Sequence, residues 1–246
     1  MKLRIKSINQ LKVAMACLVF LCEMAVPCAA QQFNVHYTFT GASGSQATTL
    51  PLSSSVPDLL TISGITRGSG ITAVSGAGSM AAGSWTTGIF DPNDYFTVNL
   101  SSSFGYKVRL DSIAFSERRS LTGPHGMSIR TSKDNFDADI FNAVLPDDTK
   151  VRRHDVATSG IWASLDEPLE IRWYGYSAES STGTWRLGGS SSTAENPGSI
   201  TTDLVLSGWM EPNSVVAPEP SSGAFILMLL PVLGHLFKRR LLPVHL

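Results

Sequence analysis

Apolar and polar residues alternate with a period of two in several short stretches of this chain. In each stretch the apolar side chains would share one face of a strand and the polar residues between them the other. The body of the chain keeps no helical period of 3.6 residues over three turns. The apolar sets are Val35/Tyr37/Phe39, Phe96/Val98/Leu100, Val108/Leu110, Ile113/Phe115, Met127/Ile129, Leu169/Ile171/Trp173, Trp185/Leu187 and Leu204/Leu206.

The apolar phase changes once within a single predicted strand. Val108 and Leu110 share one phase, whereas Ile113 and Phe115 share the opposite one. A shift of one residue sends side chains to the other face of a sheet. We therefore predict a β-bulge near residues 111–112, which would keep both apolar pairs in the core.

Loops rich in Gly, Ser and Thr separate the predicted strands. The longest covers residues 63–88, where scattered aliphatic residues indicate one or two further short strands. Eight or more short strands without crossover helices predict an all-β fold. The expected architecture is a two-sheet antiparallel β-sandwich of jelly-roll type over residues 31–213, flanked by an N-terminal signal helix and a C-terminal hydrophobic helix.

Residues 1–30 are typical of a secretory signal peptide. Four basic residues precede or interrupt the start of a largely apolar run over residues 11–26, and small residues follow it. We expect signal peptidase to cleave between Ala30 and Gln31, and an uncleaved N-terminal anchor is the alternative. The three cysteines all lie in this segment. The mature body therefore has none, and its stability must come from its core or from bound ions.

The end of the chain combines a proline-rich linker, residues 214–222, with a hydrophobic and then basic segment, residues 223–246. The apolar run over residues 223–237 has 15 residues, whereas a full bilayer span takes about 20. Basic residues behind such a run resist transfer across a membrane. The marker residues are Pro218, Glu219 and Pro220 in the linker and Lys238, Arg239 and Arg240 behind the apolar run.

This tail resembles the PEP-CTERM sorting domain of Gram-negative bacterial surface proteins. The resemblance implies that an exosortase, a membrane-embedded cysteine protease, cuts near the Pro-Glu-Pro motif. It also implies export across the inner membrane, membrane anchoring before the cut, and a location at the cell surface or outside the cell after it. Such proteins often occur in bacteria that make exopolysaccharide. An ordinary C-terminal membrane anchor is the alternative for the same segment.

The body, residues 31–217, is mildly acidic. It carries 12 basic and 18 acidic residues, a net charge of −6. Proteins that bind nucleic acid present a basic face to the phosphates. The charge balance therefore argues against a nucleic-acid partner.

The body contains no recognisable catalytic motif. Its three histidines lack zinc-ligand spacing, and it has no nucleophile elbow. We predict no enzymatic activity. A glycan-active enzyme, the less favoured alternative, would need a pair of carboxylates. The acidic residues close together in sequence are Asp166, Glu167 and Glu170.

Oxygen ligands crowd two predicted loops, and calcium is the cofactor that such ligands suit. Acidic residues are also common in turns for purely conformational reasons, so both interpretations stay open. The first cluster comprises Asp134, Asp137 and Asp139, and the second comprises Asp91, Asn93 and Asp94.

The predicted strand over residues 169–176 carries the candidate glycan-binding residues. Trp173 has the core phase, whereas Arg172, Tyr174 and Tyr176 have the other phase. On an open face the tyrosines would stack on a sugar ring and Arg172 would donate hydrogen bonds to it. On a covered face they would pair with cross-strand neighbours. The segment over residues 130–136 is also similar to a strand and turn of discoidin-like and carbohydrate-binding jelly rolls.

The leading interpretation is a non-catalytic structural or interaction role in the envelope or exopolysaccharide layer. The alternative is a carbohydrate-binding module that uses Tyr174, Tyr176 and tryptophans near loops. Those tryptophans are Trp85, Trp162 and Trp185.

Overall fold

A computed structural model describes residues 30–189 and 203–213 of the chain. These residues form strands and two short 3-10 turns, Ser53–Ser55 and Ser132–Asp134. The strands are β1 Gln31–Tyr37, β2 Leu60–Ile62, β3 Thr66–Arg67, β4 Thr72–Ala73, β5 Ser79–Gly83, β6 Tyr95–Ser102, β7 Tyr106–Arg119, β8 Pro124–Thr131, β9 Phe141–Val144, β10 Arg152–Ser164, β11 Leu169–Ala178, β12 Trp185–Gly188 and β13 Leu204–Pro212.

The strands form two sheets. The first sheet has the order β1-β13-β7-β12-β5-β4, and β10 pairs with β7 outside this path. The second sheet has the order β2-β6-β11-β8-β9, with β3 also paired to β6. All of these strand pairs are antiparallel. The predicted two-sheet antiparallel β-sandwich is confirmed.

The core lies between the sheets and includes the side chains that the alternation assigned to it, together with others, such as Trp85, that it did not assign. Trp173 of β11 has no exposed surface, and its ring meets Phe115 of β7 edge-on at 6.2 Å. Trp85 and Trp185 contact each other at 5.3 Å between ring centroids. Both therefore belong to the core and not to a loop rim. Their large apolar area makes such aromatic clusters a principal stabilising element of the sandwich.

The predicted bulge is present in β7 at Asp111. Against β13, Ser112 pairs with Ser207 and Leu110 pairs with Gly208, which leaves Asp111 without a paired position. The extra residue restores the inward direction of the apolar side chains on both sides of it. Ile113 and Leu110 are accordingly both fully buried.

The strand assignment differs from the sequence prediction in several places, and β2 and β9 are among the strands that the alternation did not indicate. The loop over residues 63–88 contains three short strands, β3, β4 and β5, instead of one or two. The sequence analysis also missed β10, because its first half consists mainly of charged and polar residues. This strand pairs on one side only, so much of its surface faces solvent.

The predicted signal helix and hydrophobic tail helix lie outside the described residues. Within the described part of the chain, no helix is long and apolar enough to cross a membrane.

Candidate functional site

The candidate glycan-binding residues lie on the outer face of the second sheet, in its central strand β11. Tyr174 lies directly opposite Tyr95 of β6 and Ser128 of β8. Arg172 lies opposite Thr97 of β6, and on its other side it faces Arg130 of β8. Because opposed residues on antiparallel strands share a face, these side chains form one continuous surface. We call it the aromatic face. Its members are Phe90, Tyr95, Arg130, Phe136, Asp139, Glu170, Arg172, Tyr174 and Tyr176.

Tyr174 is the buried centre of the aromatic face. Only 1% of its surface is exposed. Phe90, from the loop before β6, covers it with a centroid distance of 4.9 Å, and Tyr95 meets it edge-on at 5.5 Å. Burial raises the pKa of its hydroxyl, which also accepts a hydrogen bond from Arg172 Nη1 at 3.3 Å. Tyr174 therefore supports the surface from beneath and does not itself present a ring to solvent.

Tyr176 remains half-exposed and lies across a glycine of the neighbouring strand. A Cβ on Gly126 would come within 2.0 Å of the Tyr176 ring, so the glycine leaves the space that the ring occupies. Its ring centroid is 6.4 Å from that of Phe90. Burial raises the pKa of its hydroxyl, and the charge of Asp139 raises it further. The phenol therefore remains neutral at physiological pH.

Arginine and aromatic side chains alternate across the rest of the face. The Arg172 guanidinium lies 4.1 Å from the Tyr95 ring centroid and 3.8 Å from that of Phe136, so two rings enclose it. The Arg130 guanidinium lies 4.4 Å from the Phe90 ring centroid. Such cation–π contacts hold both cation and ring in fixed positions.

Each arginine of the aromatic face also has a carboxylate partner. Arg172 Nε donates to Glu170 Oε1 at 2.6 Å, and Arg130 Nε donates to Asp139 Oδ1 at 2.6 Å. The two acids neutralise the two cations, which is how Arg130 and Arg172 can occupy opposed positions on neighbouring strands. The face consequently presents rings and hydrogen-bonding groups with no net charge.

Phe90 and Phe136 complete this face, and the sequence analysis missed both. Phe90 is 37% exposed and lies in a loop about eighty residues before β11 in the sequence. Phe136 follows Asn135 in a turn where both residues have positive φ, 59° and 61°. That left-handed pair turns the Phe136 ring back over Arg172. An aromatic residue rarely adopts this conformation, so no local sequence signal indicated it.

Two of the three predicted calcium ligands of the first cluster, Asp134 and Asp139, already have protein partners. Asp134 Oδ2 accepts a hydrogen bond from Ala138 N at 3.0 Å, and Asp139 pairs with Arg130. Asp137 is exposed in the same loop. Among the described residues, no group of three or more His, Cys, Asp or Glu side chains is arranged to hold a metal ion.

The second cluster has a local structural role. Asp91 Oδ1 accepts hydrogen bonds from Asn93 N at 2.8 Å and from its side-chain amide at 3.1 Å. Asp94 is buried, and its Oδ2 accepts from Thr86 N at 2.6 Å. Burial raises the pKa of Asp94, and the Thr86 hydrogen bond offsets this only in part. These contacts fix the loop that carries Phe90.

Two of the carboxylates considered for glycan hydrolysis, Glu167 and Glu170, pair with different cations. Glu170 binds Arg172 and also accepts from Thr97 Oγ1 at 3.0 Å. Glu167 is largely exposed and pairs with Lys133 at 3.4 Å. Asp166 is exposed in the same turn.

Of the residues expected to direct export and sorting, the structure describes only those at the signal cleavage. Ala30 and Gln31, at the expected signal cleavage, are exposed, and β1 begins at Gln31. The sorting motif, residues 218–220, and the basic cluster, residues 238–240, lie outside the described residues.

The chain shows similarity to known proteins only at the level of three-dimensional structure. No family model matches the chain, and no curated protein matches it significantly. Among solved structures, the chain is similar to a family 29 carbohydrate-binding module, with 14% identity and a TM-score of 0.35 over 73% of this chain and 89% of that one. It is also similar to such a module from Piromyces equi, with 10% identity and a TM-score of 0.33 over 73% and 91%. The cleaved adhesin domain of Lys-gingipain shares 11% identity with a TM-score of 0.34 over 70% and 98%. At these TM-scores the likeness carries no argument about function.

Proposed function

We propose that this chain is an exported, non-catalytic module that binds a neutral glycan through the aromatic face. The observation that carries the proposal is the combination of partly exposed rings with charges that cancel in pairs. A sugar ring has apolar C–H faces and a polar rim, so it suits a surface on which rings and hydrogen-bonding groups alternate. A surface with no net charge favours neutral sugars over uronic acids.

Phe90 and Tyr176 are the rings that would contact the sugar. Phe90 is among the exposed large hydrophobic residues of the described chain, and Tyr176 is half-exposed beside it. Arg130 and Asp139 lie next to them and offer a donor and an acceptor to the hydroxyl groups of the ligand. Tyr174 packs beneath the Phe90 ring and supports it. The sequence suggested Tyr174 and Tyr176 as the contact residues. In the proposed contact set, Phe90 takes the place of Tyr174, and Tyr176 is kept.

We propose no catalytic activity because the carboxylates of the aromatic face are paired with arginines. Glycoside hydrolysis uses two carboxyl groups on either side of the scissile bond, one as acid and the other as base or nucleophile. On the aromatic face, Glu170 and Asp139 are each bound to an arginine. Each of these carboxylates is thus engaged in an ion pair with an arginine of the same face.

The proposal includes the processing and location that the tail resemblance implies. Signal peptidase would release the mature N-terminus at Gln31, and an exosortase would act near residues 218–220. The module would then lie at the cell surface or outside the cell, within reach of exopolysaccharide. We further propose that the sandwich is of jelly-roll type. A purely structural role in the envelope is the competing interpretation, and it requires no ligand on the aromatic face.

Affinity electrophoresis of the full chain in gels containing neutral polysaccharide tests the proposal. Glucomannan and mixed-linkage β-glucan serve as neutral probes, and alginate serves as the uronic-acid comparator. A zwitterionic detergent is required, because glycoside detergents would compete for the site. Phe90→Ala and Tyr176→Ala should each weaken the affinity of the aromatic face for the polysaccharide about two- to tenfold, since a well-placed aromatic contact is worth about 0.5–1.5 kcal/mol and about 1.4 kcal/mol is tenfold.

Phe104→Ala is the matched control, because Phe104 is 90% exposed in the turn between β6 and β7, away from the aromatic face. Its retardation should equal that of the unmodified chain. Equal retardation of all three variants, or retardation by alginate alone, would contradict the proposal. No retardation in any gel would favour the structural interpretation.

A further inference from the structure

The first sheet has an irregular junction between β7 and β10 that the aromatic face does not involve. Ala157 pairs with Ser112, and the next paired residues are Ile161 and Leu110. Residues 158–160 of β10 therefore lie opposite Asp111 alone. Both strands are bulged at the same place. Bulges of this kind redirect side chains and are frequent beside binding sites.

The backbone at this junction is held in an unfavourable conformation. Ser159 has a φ of 55°, and Gly160 has a φ of 77°. The hydroxyl of the buried Thr158 donates to the carbonyl oxygen of Leu110 and anchors the bulge to β7. A non-glycine residue kept at positive φ costs free energy, which surrounding contacts must offset. The result is an open cleft on the outer surface. It is lined by Arg109, Asp111, Ala157, Ser159, Gly160 and Trp162.

Two tryptophans with an arginine between them form a row across the sheet at the edge of this cleft. Arg109 of β7 lies opposite Trp162 of β10 on one side and Trp209 of β13 on the other. Trp162 is 37% exposed. Lys107 Nζ lies 4.2 Å from the centroid of the Trp162 ring, within the range of a cation–π contact. A partly exposed indole beside a polar cleft is therefore available to a ligand.

The charges around the cleft cancel in pairs. Arg109 donates to both carboxylate oxygens of Asp111, from Nε at 2.8 Å and from Nη2 at 3.2 Å. Lys107 Nζ lies 3.8 Å from Glu211 Oε2, and Arg109 Nη1 lies 3.9 Å from Glu211 Oε1. Two cations and two anions leave no net charge to attract an ionic ligand. They do leave oriented donors and acceptors for hydroxyl groups.

We infer that this cleft, which we call the bulge cleft, is a second binding site for a neutral glycan, with Trp162 as the stacking ring. The inference extends the proposed function to another surface of the molecule. The outer faces of two packed sheets point in opposite directions. One module with a site on each face therefore binds two glycan chains at once and cross-links them. Linked sites of this kind add avidity without new contacts.

The test measures binding and cross-linking separately, on the full chain in zwitterionic detergent with glucomannan as the probe. Affinity electrophoresis reports binding by either site, whereas the viscosity of dilute glucomannan reports cross-linking. Trp162→Ala should remain retarded in the gel, because it still binds glucomannan through the aromatic face. It should no longer raise the viscosity. Trp162→Phe keeps a smaller ring and should restore part of the viscosity increase. Phe104→Ala should behave as the unmodified chain.

The Phe90→Ala/Tyr176→Ala double variant separates this inference from the proposed function. It should also remain retarded and lose cross-linking, and adding Trp162→Ala to it should abolish retardation. If Trp162→Ala cross-links as well as the unmodified chain, the bulge cleft is not a binding site, although the aromatic face stands. If Trp162→Ala alone abolishes retardation, the bulge cleft stands and the aromatic face is not the site. An unmodified chain that is never retarded overturns both.

Discussion

Replacement of Tyr174 by alanine tests whether the aromatic face is a packed layer. The ring is buried, and it contacts Phe90 at 4.9 Å and Tyr95 at 5.5 Å between centroids. Emptying a buried aromatic site usually costs about 3–5 kcal/mol. We expect about 3 kcal/mol for Tyr174→Ala, because one side of the vacated space can collapse towards solvent.

Tyr176→Ala provides the internal comparison. Its ring is half-exposed, so its loss should cost only about 1 kcal/mol, the scale of a cross-strand pair. The difference of about 2 kcal/mol corresponds to roughly a thirtyfold difference in the folding equilibrium constant. Trp173→Ala, in the main core, should cost about 3–5 kcal/mol. Tyr174→Ala should therefore resemble Trp173→Ala more closely than Tyr176→Ala.

Urea unfolding of the three variants and the unmodified chain measures these differences, provided that the slope with denaturant stays constant. A double-mutant cycle with Phe90→Ala isolates the contact between the two rings and should give a coupling of about 1 kcal/mol. If Tyr174→Ala costs no more than Tyr176→Ala and the coupling is zero, Phe90 does not cover Tyr174. The aromatic face would then lack its supporting layer.

Three further predictions concern a buried acid, calcium and processing. Burial raises the pKa of Asp94, so its contribution to stability is present below about pH 4 and is lost as the pH rises through the folded-state pKa. The stability of Asp94→Asn relative to the unmodified chain should therefore be greater at about pH 7 than at about pH 3. A difference in urea midpoint that does not change with pH would contradict this. Because Asp134 and Asp139 already have partners, chelator should leave the melting temperature unchanged, and a lower value would reveal a bound ion. Mass spectrometry of exported protein should find an N-terminus at Gln31 and a C-terminus near residues 218–220, whereas an intact tail would refute the sorting proposal.

The period-two pattern predicted a large part of the core of the sandwich, although residues such as Ile65, Met80 and Val156 were not assigned to it. Trp173 was assigned to the core from its phase alone, and it is fully buried. The phase change between Leu110 and Ile113 located the bulge at Asp111, because a bulge is the local means of reversing a face. These predictions succeeded because each depends on near neighbours in the sequence.

The parts of the fold and of the candidate site that could not be predicted depend on contacts between segments far apart in the sequence. Tyr174 has the phase of an outward residue and is nevertheless buried, because Phe90 comes from a loop far away in the sequence. Trp162 lies on β10, whose polar first half hid the strand. The bulge cleft needs both β7 and β10, and no pattern in either strand alone indicates it.

Residue-level hydroxyl-radical footprinting of the full chain with and without glucomannan is the most direct test of glycan binding by the aromatic face. Saturating glucomannan should reduce oxidation of Phe90 and Tyr176 several-fold, because a bound sugar covers exposed rings. Tyr174 should show little oxidation in either condition, since it is already buried. Phe104, exposed in a distant turn, should be oxidised equally in both. Unchanged oxidation of Phe90 and Tyr176 in a sample that demonstrably binds glucomannan would contradict the account.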